Sequence, residues 1–134
     1  MQDLLRLLNC KNTIAPVSNT GSAVTGSGVD LAGYEGAIAV IDGGNWTAGM
    51  GSYAMAMKES SDNVTYTAVA AADILGTQPT LSGQVYRGDV AWGYRGSKRY
   101  LRVDATHTGY TTACYFGVLI VRGMKRHQPS TQGS

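Results

Sequence analysis

Tyr100-Leu101-Arg102-Val103-Asp104-Ala105-Thr106 decides the fold. Leu101, Val103 and Ala105 fall on one side of an extended chain, and Tyr100, Arg102, Asp104 and Thr106 on the other. A period of two with one apolar side predicts a half-buried strand. The stretch just before it, Gly93-Tyr94-Arg95-Gly96-Ser97-Lys98-Arg99, reads as a glycine-bounded turn leading into that strand. Arg95, Lys98, Arg99 and Arg102 place four cations within eight residues. One segment therefore anchors a core and displays positive charge.

Working outward, the same kind of pattern recurs. Gln84 to Trp92 reads as a strand, and Thr108-Gly109-Tyr110 as a turn. Ala113 to Val121 carries Phe116, Val118 and Ile120 on one face and Tyr115, Leu119 and Val121 on the other, which predicts a central strand. Ala37 to Ile41 is a continuous apolar run, expected to be buried on both faces and to end at an Asp42-Gly43 turn. Tyr53 to Ser60 predicts a strand with Tyr53, Met55, Met57 and Glu59 on one face. Ser60-Ser61-Asp62-Asn63 turns it into a returning strand, Val64 to Val69. Ala70 to Leu75 is helix-prone, Gln78 to Gly83 reads as loop, and Ile14 to Val17 as a short strand before a polar loop, Asn19 to Gly28. Some seven short strands with turns every 8–12 residues predict an all-β, single-domain β-sandwich, jelly-roll-like. The expected layout is an extended N-terminal arm over residues 1–20, the sandwich over 21–124 and a loose tail over 125–134.

A chain of 134 residues can bury a core without metal or disulfide staples. Its 18 glycines, nearly twice the usual ~7%, agree with strands and turns. Charge is unevenly divided. Residues 1–85 hold three cations against seven anions, and residues 86–134 hold eight cations against two anions. Such a partition fits an acidic partner, nucleic acid, or a contact between unlike halves of two copies. Cys10 and Cys114 have no disulfide or metal spacing and are expected to be free thiols. The start, Met1 to Leu8, lacks the features of a signal peptide, and no run reaches membrane-spanning length. Synthesis in a cytoplasm and no membrane partner are expected.

No nucleophile elbow, phosphate-binding loop or His/Cys ligand spacing is present, and the histidines are His107 and His127. Neither enzymatic activity, a metal nor a cofactor is expected. Glu59 and Asp62 flank a turn, where acids are usually solvated, and Asp62-Asn63 is expected to bond its own turn backbone. Arg95, Lys98, Arg99 and Arg102 interleaved with Tyr94 and Tyr100 fit two partners. Single-stranded nucleic acid would be held by stacking and phosphate neutralisation. A protein interface uses the same residue types, and is the reading favoured here.

Several pieces together carry a resemblance. They are Gly28-Val29-Asp30-Leu31-Ala32-Gly33-Tyr34-Glu35, Glu59-Ser60-Ser61-Asp62 with Tyr66, Ala72-Asp73-Ile74-Leu75-Gly76, and Gly93 to Val103, of which Tyr94 to Val103 is the most specific. Across residues 1 to 129 the chain resembles a family of small head-associated structural proteins of tailed bacteriophages and prophages. Gly49-Met50-Gly51 departs from that pattern in its glycine content. The resemblance implies a virion component of the phage head. Its implied role is a capsid decoration (cement) protein, made in the host cytoplasm, that binds the major capsid protein lattice as a homo-oligomer, a trimer or dimer. A neck- or tail-associated fitting is the alternative within that class. A nucleic-acid-binding module using residues 95–102 is the alternative outside it. The residues expected at the capsid or self interface are Leu4, Leu5, Leu7, Leu8, Tyr94, Arg95, Lys98, Arg99, Tyr100 and Arg102.

Overall fold

The two halves of the chain pair with each other as one long nested hairpin. This is seen in a computed structural model that describes residues 7–19, 23–46, 51–82, 87–109 and 114–125. In chain order the strands are β1 (Asn9–Asn19), β2 (Val29–Asp30), β3 (Tyr34–Trp46), β4 (Ser52–Ser60) and β5 (Thr67–Ala68). A single 3-10 turn, Ala71–Asp73, precedes β6 (Ile74–Leu75), β7 (Thr80–Ser82), β8 (Arg87–Tyr94), β9 (Tyr100–Thr108) and β10 (Cys114–Lys125). The first strand pairs with the last, β2 with β9, β3 with β8 and β4 with β7, all antiparallel. Rolling that hairpin gives two sheets. One runs β1-β10-β3-β8 with β6 added at its edge, the other β2-β9-β4-β7 with β5 also on β4. Two four-stranded sheets in this order form the double Greek key of a jelly roll.

Alternation along β9 feeds the core. Leu101, Val103 and Ala105 are at most 1% exposed. Tyr53, Met55 and Met57 of β4 lie beside them, with Ala37, Ala39 and Ile41 of β3 and Phe116, Val118 and Ile120 of β10 also buried. Trp92 from β8 and Tyr53 are the largest fully buried side chains. Each leucine-sized group so buried contributes about 1.5–3 kcal/mol. A one-residue slip of β9 would exchange Leu101 for Arg102 in the core, so the register is strongly determined.

Thr13 locks β1 to β9. Its Oγ1 donates to the Ser27 carbonyl at 2.8 Å and accepts the Val103 N–H at 3.1 Å. Gly26 passes so close that a Cβ there would overlap the Val103 carbonyl oxygen. Ala105 and Val24 exchange two backbone hydrogen bonds at 2.8 Å on the same flank.

Several expectations are revised. Ala37 to Ile41 is buried on one face only, because Ile38 is 43% exposed and points away from the core. Asp42-Gly43 does not turn. It continues β3 opposite Gly117 and Phe116, the cross-strand ladder overriding the local turn preference. Residues 9–19 form a full edge strand on β10, so the sandwich begins near residue 9 rather than 21. Its far end extends to Lys125. The Val64–Val69 return pairs at Thr67 and Ala68, with the Val69 N–H donating to the Met57 carbonyl at 3.2 Å, and leaves Val64 81% exposed, while Gln78–Gly83 contains β7. Residues 1–6 of the expected arm, residues 126–134 of the expected tail and Gly49-Met50 lie outside the described residues.

Leu101→Ala is expected to destabilise the domain by about 2–5 kcal/mol. Val64→Ala, at a site mostly in water, should change it by less than about 0.5 kcal/mol. Denaturant melts of both variants measure the contrast.

Candidate interface: the β8–β9 loop and the outer sheet faces

The loop between β8 and β9 is built around a buried phenol. Tyr94 ends β8 and is 3% exposed. Its hydroxyl donates to Glu59 Oε2 at 2.7 Å and accepts the Lys98 N–H at 3.1 Å. Burial, and then the bond to Glu59, push its pKa well above the usual tyrosine value, so it stays neutral and can donate. Gly96 is required on top of it, since a Cβ at that position would sit 2.5 Å from the ring. Arg95 ties the loop to the 3-10 turn, with its N–H on Asp73 O at 2.9 Å and its Nε on Ala72 O at 3.0 Å.

The far side of the loop is fixed by a charged fork. Arg99 Nε and Nη2 donate to Asp30 Oδ1 and Oδ2 at 3.1 and 2.9 Å. That fork holds the Asp30 carboxyl below its ordinary range. Asp30 Oδ1 also accepts the Ala32 N–H at 2.9 Å, and Arg122 Nη1 reaches the Asp30 carbonyl at 2.6 Å. Between this loop and the turn at Ala32-Gly33 with the start of β3 lies a cleft of about 280 Å³, lined by Leu31, Gly33, Glu35, Tyr94, Ser97 and Lys98 among others. Ser97 and Lys98 form its exposed lip.

Arg102 belongs to a different cluster, on the outer face of β4 and β9. Its Nε lies 3.0 Å from Asp104 Oδ1 and its Nη2 donates to Oδ2 at 3.1 Å, while its guanidinium covers the Tyr66 ring at 4.1 Å. Lys58 Nζ approaches the same carboxylate at 3.5 Å. The expectation of one basic strip available to a partner is therefore corrected at three residues. Tyr94 is core. Arg99 is bound to Asp30, and Arg102 is half-buried between Asp104 and Tyr66. An excess cation of the basic half meets an excess anion of the acidic half inside one chain, through Arg99–Asp30. Half-buried Tyr100 lies under Arg99, 5.2 Å from its ring centre. These pairings leave fewer cations and fewer open rings for a nucleic-acid strand than the sequence promised. Of the leucines, Leu8 is 39% exposed and its side chain lies against Gly123, and Leu7 is half-buried. Leu4 and Leu5 lie outside the described residues.

Asp62 is a turn anchor, not half of a carboxylate pair, since Glu59 is committed to Tyr94. Asp62 Oδ1 accepts the N–H groups of Val64 and Thr65 at 2.9 and 3.0 Å and the Ser60 hydroxyl at 2.8 Å. Asn63 next to it adopts φ 61°, which Asn tolerates. The hydrogen bonds from Thr65, Val64 and Ser60 lower the Asp62 pKa to about 2.

A second surface was not anticipated. The outward positions of the five-stranded sheet carry no charge over most of its width. One row runs in register through Cys10, Val121, Ile38, Gly93 and Leu75, the next through Asn12, Leu119, Val40 and Ala91. Leu75 is 49% exposed, much like Ile38. The signal in the sequence is the absence of charge at alternate positions of Gly36–Val40, Ala91–Gly93 and Gly117–Gly123. It was masked by reading the β3 run as doubly buried.

Among the described residues no group of three or more His, Cys, Asp or Glu is placed to hold a metal ion. No protein-family model and no curated protein matches the chain.

Two outcomes are expected. Tyr94→Phe removes the acceptor for Lys98 N–H and the donor to Glu59, and should cost about 1–3 kcal/mol, with faster exchange of the Lys98 amide in hydrogen-exchange spectra. The Asp62 carboxyl should titrate near pH 2 when followed by carboxyl carbon NMR. Its folded pKa lies below 3.8, so its contribution to stability is present above that pH and disappears as pH falls through about 2.

Proposed function

We propose that this protein is a structural component of a phage head, a decoration protein that docks on the major capsid protein lattice and stabilises the shell. The observation that carries the reading is the β8–β9 loop. It is the segment on which the resemblance is most specific, and it is held rigid at one end of the sandwich by Tyr94, Glu59, Asp73 and Asp30. A preorganised loop loses little entropy on docking. Its lip, Ser97 and Lys98, and the adjoining cleft, which Glu35 also lines, offer a concave, hydrogen-bonding end to a protein surface. The jelly-roll order adds support, because capsid and lectin domains share it, though a fold alone does not specify a function.

In this account the chemistry of the protein is binding. Cohesion of the shell comes from many copies bridging capsid subunits as homo-oligomers, and a rigid β-sandwich transmits load without rearranging. The loop end meets the capsid, and the cluster of Arg102, Asp104, Lys58 and Tyr66 stabilises the domain itself.

The test is binding to capsids that lack the protein. Ser97→Glu with Lys98→Glu reverses the charge of the lip without touching the core. Occupancy should fall at least tenfold, with denaturant melts of the free protein changed by less than about 0.5 kcal/mol. Undiminished occupancy, or binding confined to one vertex, would overturn the reading. Salt-sensitive binding to single-stranded DNA that Lys98→Glu abolishes would replace it with the nucleic-acid one.

A further inference from the structure

We propose that the cleft takes an extended stretch of main chain from the capsid subunit, which pairs with β3 at Glu35 in the place that β8 vacates; this rests on the capsid-docking reading of that end of the sandwich.

Unequal strand lengths create the place. β8 accompanies β3 only as far as Tyr94 opposite Ala37, and then becomes the loop. β3 runs on to Tyr34 with β10 still beside it, Gly36 opposite Gly123 and Tyr34 opposite Lys125. Among the described residues, no strand lies on the other side of residues 34–36. The cleft opens there, with Glu35 and Gly36 on one wall and Gly96, Ser97 and Lys98 on the other.

Hydrogen-bond phase decides what the β3 wall offers. In an antiparallel pair, opposed residues that exchange both backbone bonds alternate with opposed residues that exchange none. The Arg95 N–H on Asp73 O turns the odd positions of β8 toward β6. Its even positions then face β3, so Tyr94 is bonded to Ala37. On β3 the odd positions therefore face β8, and the even ones face β10. Glu35 is the next odd position beyond Ala37. Its N–H and C=O point toward the cleft without a ladder partner, and among the described residues none across the cleft bonds them.

A free donor and acceptor on a strand edge are a template for a further strand. The place is roomy, since a Cβ at Gly33 or at Gly36 would meet nothing within 4 Å. Side-chain charge favours neither an anion nor a cation. The cleft carries one exposed carboxylate, Glu35, and one exposed ammonium, Lys98, while Arg99 is held by Asp30. Main chain is neutral and brings one donor and one acceptor per residue, the complement of what Glu35 presents.

Occupancy on capsids that lack the protein tests this. Glu35→Pro removes an N–H that no ladder bond uses, at an edge position where proline is tolerated. It should bind at least tenfold less while the circular dichroism spectrum of the free protein stays native. Glu35→Gln keeps the main-chain groups and should bind within about twofold of the unchanged protein. In the unchanged protein, hydrogen exchange at the Glu35 amide should slow at least tenfold on the capsid, and this carries the decision should Glu35→Pro fail to fold. Full occupancy of Glu35→Pro, or a Glu35 amide left unprotected, would overturn the inference. So would loss of binding in Glu35→Gln, which would mark a cation held by the carboxylate. Where Ser97→Glu with Lys98→Glu still lowers occupancy, the capsid reading survives that failure. An unchanged protein that does not bind capsids sinks both.

Discussion

Register is the constraint on which the structure depends. In a nested hairpin each pairing is aligned by the one outside or inside it, so an error in one strand would propagate through both sheets. Alternation on β9 prevents this. Leu101, Val103 and Ala105 enter the core, and Thr13, Gly26 and Val24 fasten the flank of the strand against β1 and the loop that follows it. The contacts that result join residues far apart in sequence. Thr13 to Val103 spans most of the described chain. Such a topology pays its loop-closure entropy before its contacts form and is expected to fold slowly.

The same constraint shapes the surface. Because β9 must present Arg102 and Asp104 outward together, the basic charge that marks the sequence is partly neutralised within the molecule. Asp30, brought to β9 by the β2 pairing, does the same for Arg99. What is left to a partner is narrower than the basic stretch itself: the lip at Ser97 and Lys98, the cleft behind it, and the uncharged outer face of the other sheet. These two surfaces lie on different parts of the sandwich.

The fold class was legible because it rests on period-two alternation, which survives in any one strand. The faces of β9 and β4 follow from Leu101 and Tyr53, whereas β10, apolar on both sides, reads only as a central strand. What misled was local. Asp42-Gly43 has strong turn chemistry, yet the ladder to β10 carries β3 straight through it. Ile38 and Val40 looked buried because an apolar run gives no hint of which face has a neighbour. The candidate site was half legible. Clustering of Arg and Tyr located the loop, but not that Tyr94 would be its buried post or that Asp30, some seventy residues away, would take Arg99. Pairings of that range have no signature in a single sequence.

A density map of the intact particle tests the central claim most directly. The account predicts many copies of the jelly roll on the outside of the shell, each with the Ser97–Lys98 lip against a capsid subunit. A shell without this domain, or copies seated with that lip in solvent, would contradict it.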